Sequence, residues 1–166
     1  MKWTIMLGAL FLLSACEQKP APAVAQEFTK TTVCTLDGMS LADYPGPKGQ
    51  IQYADGKTDF FCDTVEVLSM LLQPEQKRKV LAAFVNDMGK ADWNAPRGNW
   101  IDARTAWFVK DSRKRGAMGA TFVSFADEAA AKTFVAQQGG TILQFASIKP
   151  DMVVMDGGAL HGGSSH

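Results

Sequence analysis

The sequence has no surplus of either charge: 17 Lys and Arg stand against 17 Asp and Glu, for a formal net charge of zero. A chain without a broad basic field has no means of gripping a phosphate backbone, which sets nucleic-acid binding aside. Histidine is nearly absent, with two residues, both in the final stretch. No Ser-His-Asp set, no HExxH zinc motif and no phosphate-binding glycine loop appears, so acid-base and nucleophilic machinery of familiar types is missing. Cysteine is almost as scarce, at three residues. The apolar run from Trp3 to Leu13 is too short to span a bilayer as a permanent helix. What the chain does have is apolar substance: 46% hydrophobic residues, with ten Phe and four Trp, enough to fill a core rather than remain disordered.

The first thirty residues carry an address. Lys2 supplies a positive start, the apolar run follows, and small residues close it, which is the pattern of a secretory signal over residues 1–15. Leu13-Ser14-Ala15-Cys16 resembles a lipobox, so Cys16 is expected to be acylated and to become the first residue of the mature chain. Each buried CH₂ of an acyl chain contributes about 0.8 kcal/mol, so several chains make a permanent anchor. The expected location is the periplasm. Glu17 stands where many inner-membrane lipoproteins carry aspartate, which favours the outer membrane slightly. Residues 16–27, rich in Pro, Ala and Gln, read as a flexible linker.

Removal of residues 1–15 leaves 151, enough for one medium domain or two small ones. The chain shows an internal repeat. Phe61-Cys62-Asp63-Thr64 and Phe125-Ala126-Asp127-Glu128 each close a strand-like run and open a helical one, and Asp63 and Asp127 lie 64 positions apart. In the first copy, Gln50–Tyr53 and Thr58–Phe61 flank an Asp55-Gly56 turn, Asp63 and Glu66 have capping-box spacing, and Val65, Leu68 and Leu72 share a helix face. Pro74 ends that helix and Val80–Val85 returns as a strand. In the second, Ala106–Val109 and Ala120–Phe125 are strands around a basic turn. Asp127–Gln138 is a helix stopped by Gly139-Gly140, and Thr141–Phe145 is a closing strand. The expected fold is α+β, with two small repeated ββαβ lobes over 28–90 and 91–150. The Lys90–Asn99 stretch acts as their connector, and a Gly- and His-containing tail covers 151–166.

Cys34-Thr35-Leu36-Asp37-Gly38-Met39 is the most informative segment. It sets a thiol and a thioether on either side of an Asp-Gly pair that favours a tight reversal. A turn there brings both sulfurs to one side of a loop, and soft donors of this kind prefer Cu(I). Met118, between glycines at Gly116 and Gly119, is a possible third sulfur. Cys62 falls at a helix N-terminus, a position that lowers a thiol's pKa, and it can ligate metal, pair with Cys34 or simply be buried. His161 and His166 in the Gly-rich tail add imidazoles that can close over the site or collect metal, with His161 named as an accessory ligand.

The lipobox, Cys-x-x-x-Gly-Met at 34–39, the Phe-Cys-Asp-Thr-Val-Glu helix start at 61–66 and Gly116-Ala117-Met118-Gly119 together resemble the NosL family of copper-binding lipoproteins. Ala117 replaces a proline that the family carries, which loosens that loop. The resemblance implies a two-lobed arrangement similar to organomercurial lyase, no catalytic activity of its own, and Cu(I) as the bound ion. It implies Cys34 and Met39 as leading ligands with Met118 as third. It also implies service to nitrous-oxide reductase and its membrane ABC-type maturation complex, by delivery of copper for the reductase's copper-sulfide centre. A copper-bridged dimer is left open. Two other roles stay in view: a thiol-dependent enzyme of organomercurial-lyase type, against which stands the want of a proton donor near the thiols, and a structural envelope lipoprotein with a Cys34–Cys62 disulfide.

Overall fold

The computed structural model describes residues 23–75 and 77–153. Residues 1–15, Cys16 and the tail histidines His161 and His166 lie outside the described residues. Among the described residues the chain is mixed α and β, with most regular structure in sheets and two α-helices. Strand β1 (Gly49–Tyr53), strand β2 (Thr58–Phe61), helix α1 (Thr64–Leu72) and strand β3 (Val80–Asn86) come first in chain order. Strand β4 (Trp100–Asp102) and strand β5 (Trp107–Lys110) follow. After them come the two short strands β6 (Arg115–Gly116) and β7 (Gly119–Ala120), strand β8 (Val123–Phe125), helix α2 (Glu128–Gln138) and strand β9 (Thr141–Gln144).

A four-stranded sheet has the order β2-β1-β3-β4, a three-stranded one has β8-β5-β9, and β6 pairs with β7 alone, with every pairing antiparallel. The two larger sheets share one plan. In each, a central strand pairs with the strand just before the helix and the strand just after it. The helix starts are set by their caps. Asp63 accepts a hydrogen bond from Val65 N while Glu66 accepts one from Asp63 N, a complete capping box. Asp127 accepts from Ala130 N at 2.8 Å. Helix α1 stops where Gln73 turns extended ahead of Pro74, as a residue before proline must.

The apolar faces meet in one principal core that draws on both halves of the chain. Ile51, Phe61, Val67 and Leu68 pack with Phe108, Phe122, Ile148 and Val153. A second cluster under α2 contains Val109, Val123, Phe125 and Ala131. Gly49 lets α1 sit directly on β1: a Cβ there would lie 2.2 Å from Val67 Cγ2.

Two expectations need adjustment. The linker over residues 16–27 is not free along its whole length, because Val24–Glu27 is bound to the sheet. Gln50 and Gln52, on the β1 face away from α1, hold it through Gln26 N to Gln50 Oε1 (2.8 Å), Gln50 Nε2 to Gln26 O (2.8 Å) and Gln52 Nε2 to Val24 O (2.7 Å). Trp100 Nε1 donates to Glu27 Oε1 at 2.6 Å. Paired side-chain amides of this kind leave little mark on a sequence. The run Ala120–Phe125 is also not one strand but two pieces, β7 and β8. Thr121 and Phe122 leave the ladder between them to bind the start of α1: Thr121 Oγ1 donates to Asp63 Oδ1 at 2.6 Å, and Thr64 Oγ1 donates to Phe122 O.

Candidate metal centre

The segment around Cys34 folds as the Asp-Gly pair demands. Val33 and Ser40 form an antiparallel bridge, Cys34 N donates to Met39 O at 2.8 Å, and Gly38 N donates to Cys34 O at 3.0 Å. Gly38 takes a φ of 75°, left-handed backbone that glycine tolerates best. The Asp37 carboxylate closes the reversal by accepting from Met39 N at 2.9 Å. Val33 faces solvent and Cys34 is buried, so the alternation across the bridge puts Cys34 and Met39 on the inner side together. Two bonds to β2 hold the loop against the body: Thr35 N to Phe60 O at 2.8 Å and Phe60 N to Thr35 Oγ1 at 3.2 Å.

Beneath this loop Phe28, Cys34, Leu41 and Cys62 form a buried apolar cluster. Met39, Phe60, Trp100 and Ala117 pack against it. Cys34 and Cys62 are both free thiols, so the disulfide alternative is not what the structure holds. One ligand atom from each of Cys34, Asp37, Cys62 and Glu66 lies within 4.8 Å of the others, a grouping of two sulfurs and two carboxylates compact enough to surround a single ion. Cys34 Sγ is 3.4 Å from each Glu66 carboxylate oxygen, and Cys62 Sγ is 4.0 Å from Asp37 Oδ2.

The two buried thiols are coupled. Hydrogen bonding between them lowers the Cys34 pKa against the effect of burial, and the same interaction, followed by burial and the Glu66 charge, raises that of Cys62. Of the readings open for Cys62, burial at the end of β2 is the one that the structure shows. Burial raises Glu66 and Asp63, with hydrogen bonds to each opposing the rise. Lys48 is also fully buried, its Nζ donating to Pro45 O and Cys62 O, both at 3.0 Å. Burial lowers its pKa, and the acidic groups around it, Asp63 and Glu66 among them, oppose that.

Of the residues singled out in the sequence, the structure brings Cys34, Met39 and Cys62 into one cluster. Met118 arrives by its backbone. It sits at the tip of the β6–β7 hairpin, 37% exposed, with its N–H donating to Asp63 Oδ2 at 3.2 Å while neighbouring Ala117 packs on the sulfur cluster. Sequence reasoning missed Asp37, Glu66 and Lys48. Asp37 and Glu66 were already explained by a turn and a capping box, and no local pattern marks Lys48. A carboxyl therefore does stand beside the thiols, where none was expected.

A family model described as NosL matches residues 25–153. The chain is 36% identical over 157 residues to the copper-binding lipoprotein NosL of Stutzerimonas stutzeri, covering 92% of this chain and 82% of that protein. Against the copper-binding lipoprotein NosL of Achromobacter cycloclastes it is 37% identical over 161 residues, covering 93% and 83%. The fold superposes on the crystal structure of the copper chaperone NosL from Shewanella denitrificans with a TM-score of 0.73 and 37% identity, over 80% of this chain and 99% of that one. A match this extensive, joined to the buried sulfur cluster behind the Cys34–Met39 turn, leads to one conclusion: the chain belongs to the NosL family.

Proposed function

We propose that this protein is a periplasmic lipoprotein, anchored through Cys16, that binds Cu(I) and delivers it for assembly of the copper-sulfide centre of nitrous-oxide reductase, working beside the ABC-type maturation complex of that enzyme. The single observation that carries the reading is the Cys34 thiol. Its sulfur lies within 4.8 Å of the Cys62 sulfur and shares the inner face of a tight turn with the Met39 thioether. An anionic and a neutral soft donor on one face suit Cu(I), and no hard-cation site is built from them. Met118 is the third ligand in this reading, with Cys62 and His161 as accessory donors. Copper is the cargo: the thiolate and thioethers hold it at low coordination, and an acceptor's ligands replace them one at a time. The relatives named as lipoproteins and as a copper chaperone support the anchor and the carrier role. The two ββαβ units are read as diverged copies of one unit, in an arrangement similar to organomercurial lyase.

Transfer itself is the test. Full-length Cu(I)-loaded protein, mixed anaerobically with copper-depleted nitrous-oxide reductase, should lose its copper to the reductase. A Cys34→Ser sample prepared the same way should transfer none. Copper retained by the wild type in the presence of the reductase contradicts the delivery role.

A second reading rests on Glu66, a buried carboxyl 3.4 Å from the Cys34 sulfur whose pKa is raised by burial, which would serve as the proton donor that an organomercurial-type cleavage requires. Turnover of an organomercurial by the metal-free protein would favour it. The carrier reading expects none.

A further inference from the structure

Asp63 is the N-cap of α1, yet its carboxylate does more than a cap needs. It is fully buried and makes three hydrogen bonds outside its own residue pair: Oδ1 accepts from Val65 N at 3.1 Å and from Thr121 Oγ1 at 2.6 Å, and Oδ2 accepts from Met118 N at 3.2 Å. Asp127, the corresponding cap of α2, is exposed, and its recorded bond is to its own helix. The two further partners of Asp63 both come from the chain around the β6–β7 hairpin, more than fifty positions away in sequence. The hairpin is fitted closely to that carboxylate. A Cβ on Gly116 would lie 2.3 Å from Asp63 Oδ2, so only glycine lets the backbone come this near.

Asp63 also follows Cys62 directly, and its capping partner Glu66 touches Cys34. One buried side chain therefore fixes the start of the helix that bears the thiol site and the tip of the hairpin that bears Met118. We infer that Asp63 is a positioning residue for the third sulfur: its Oδ2 bond to the Met118 N–H holds the hairpin tip where Met118 can close over a Cu(I) ion seated at Cys34 and Met39. This inference rests on the proposal that Met118 is a ligand. The physical reason is the entropy of loop closure. The hairpin tip is half-exposed and lacks a proline at Ala117, so without a fixed point its thioether samples many placements, few of which face the ion.

The test is a double-mutant cycle on the full chain, with Cu(I) affinity measured anaerobically against a competing chelator. Asp63→Asn keeps the cap, since asparagine caps as well as aspartate, but turns an N–H₂ toward either Met118 N or Thr121. Met118→Leu should weaken Cu(I) binding about tenfold, Asp63→Asn severalfold, and the double variant no more than Met118→Leu alone. Gly116→Ala, whose Cβ would be driven against Asp63 Oδ2 and so part the hairpin from that carboxylate, should reproduce the Asp63→Asn loss. A loss in Met118→Leu with none in Asp63→Asn and Gly116→Ala overturns the inference alone. Equal losses from Asp63→Asn in the wild-type and Met118→Leu backgrounds do the same, because Asp63 would then act by another route. Full affinity in Met118→Leu removes the ligand assignment and the inference with it.

Discussion

Cys34 Sγ stands 3.4 Å from both carboxylate oxygens of Glu66, a residue 32 positions further along the chain. The carboxylate that completes the capping box of α1 is thus also a wall of the thiol site, through Asp63 N at 3.2 Å on one side and the sulfur on the other. Helix start and metal site are built from one side chain, and a change to it reaches both.

That shared role gives stability a pH dependence. Burial raises the Glu66 pKa above the ordinary carboxyl value, so the folded chain binds this proton more tightly than the unfolded one. The contribution is fully present below the unfolded pKa and is lost as pH rises through the raised folded value. Glu66→Gln keeps the capping box and mimics the protonated acid. Urea unfolding of the metal-free protein should show the variant matching the wild type in acid and exceeding it at neutral pH. A wild type that gains on the variant as pH rises contradicts this.

Copper affinity should carry its own pH signature. Binding to a thiolate displaces a proton, so affinity climbs about tenfold per pH unit while Cys34 is still protonated and levels off once it has ionised. Because the Cys34 pKa is lowered from 9.0, the plateau should begin below that value. Chelator competition across the neutral to alkaline range measures the break.

Met39→Leu separates ligand from packing. Leucine nearly conserves volume in the half-buried site, so stability should fall by less than about 1.5 kcal/mol. Loss of the thioether should weaken Cu(I) binding by about tenfold, roughly 1.4 kcal/mol. Calorimetric unfolding and copper competition on one preparation check the pair of outcomes.

Asp127→Ala should do the opposite. It removes the hydrogen bond to Ala130 N and should cost about 1 kcal/mol of stability, leaving Cu(I) affinity unchanged. A denaturant midpoint shift together with an unaltered copper titration is the expected result.

Much of the fold was legible because its signals are local. Asp63 and Asp127 announce their helices, Asp55-Gly56 announces a hairpin, and Pro74 stops α1 where expected. The Cys34–Met39 turn was legible for the same reason. What stayed hidden is whatever depends on contacts far apart in sequence. The break between β7 and β8 exists because Thr121 and Phe122 are drawn to Asp63 and Thr64. The docking of Val24–Glu27 depends on glutamines of β1 and on Trp100. Glu66 and Lys48 enter the site only once α1 and the chain before β1 are packed together. The coupling of the two thiols follows the same logic, since a helix-terminus argument sees Cys62 alone and not the sulfur beside it.

The account stands most directly on the Cys34 sulfur as the anchor of copper. Anaerobic Cu(I) titration against a competing chelator, comparing wild type with Cys34→Ser, should show affinity reduced by about 100-fold or more, roughly 2.7 kcal/mol, in a variant that remains folded. A folded Cys34→Ser protein that binds Cu(I) as tightly as the wild type would contradict it.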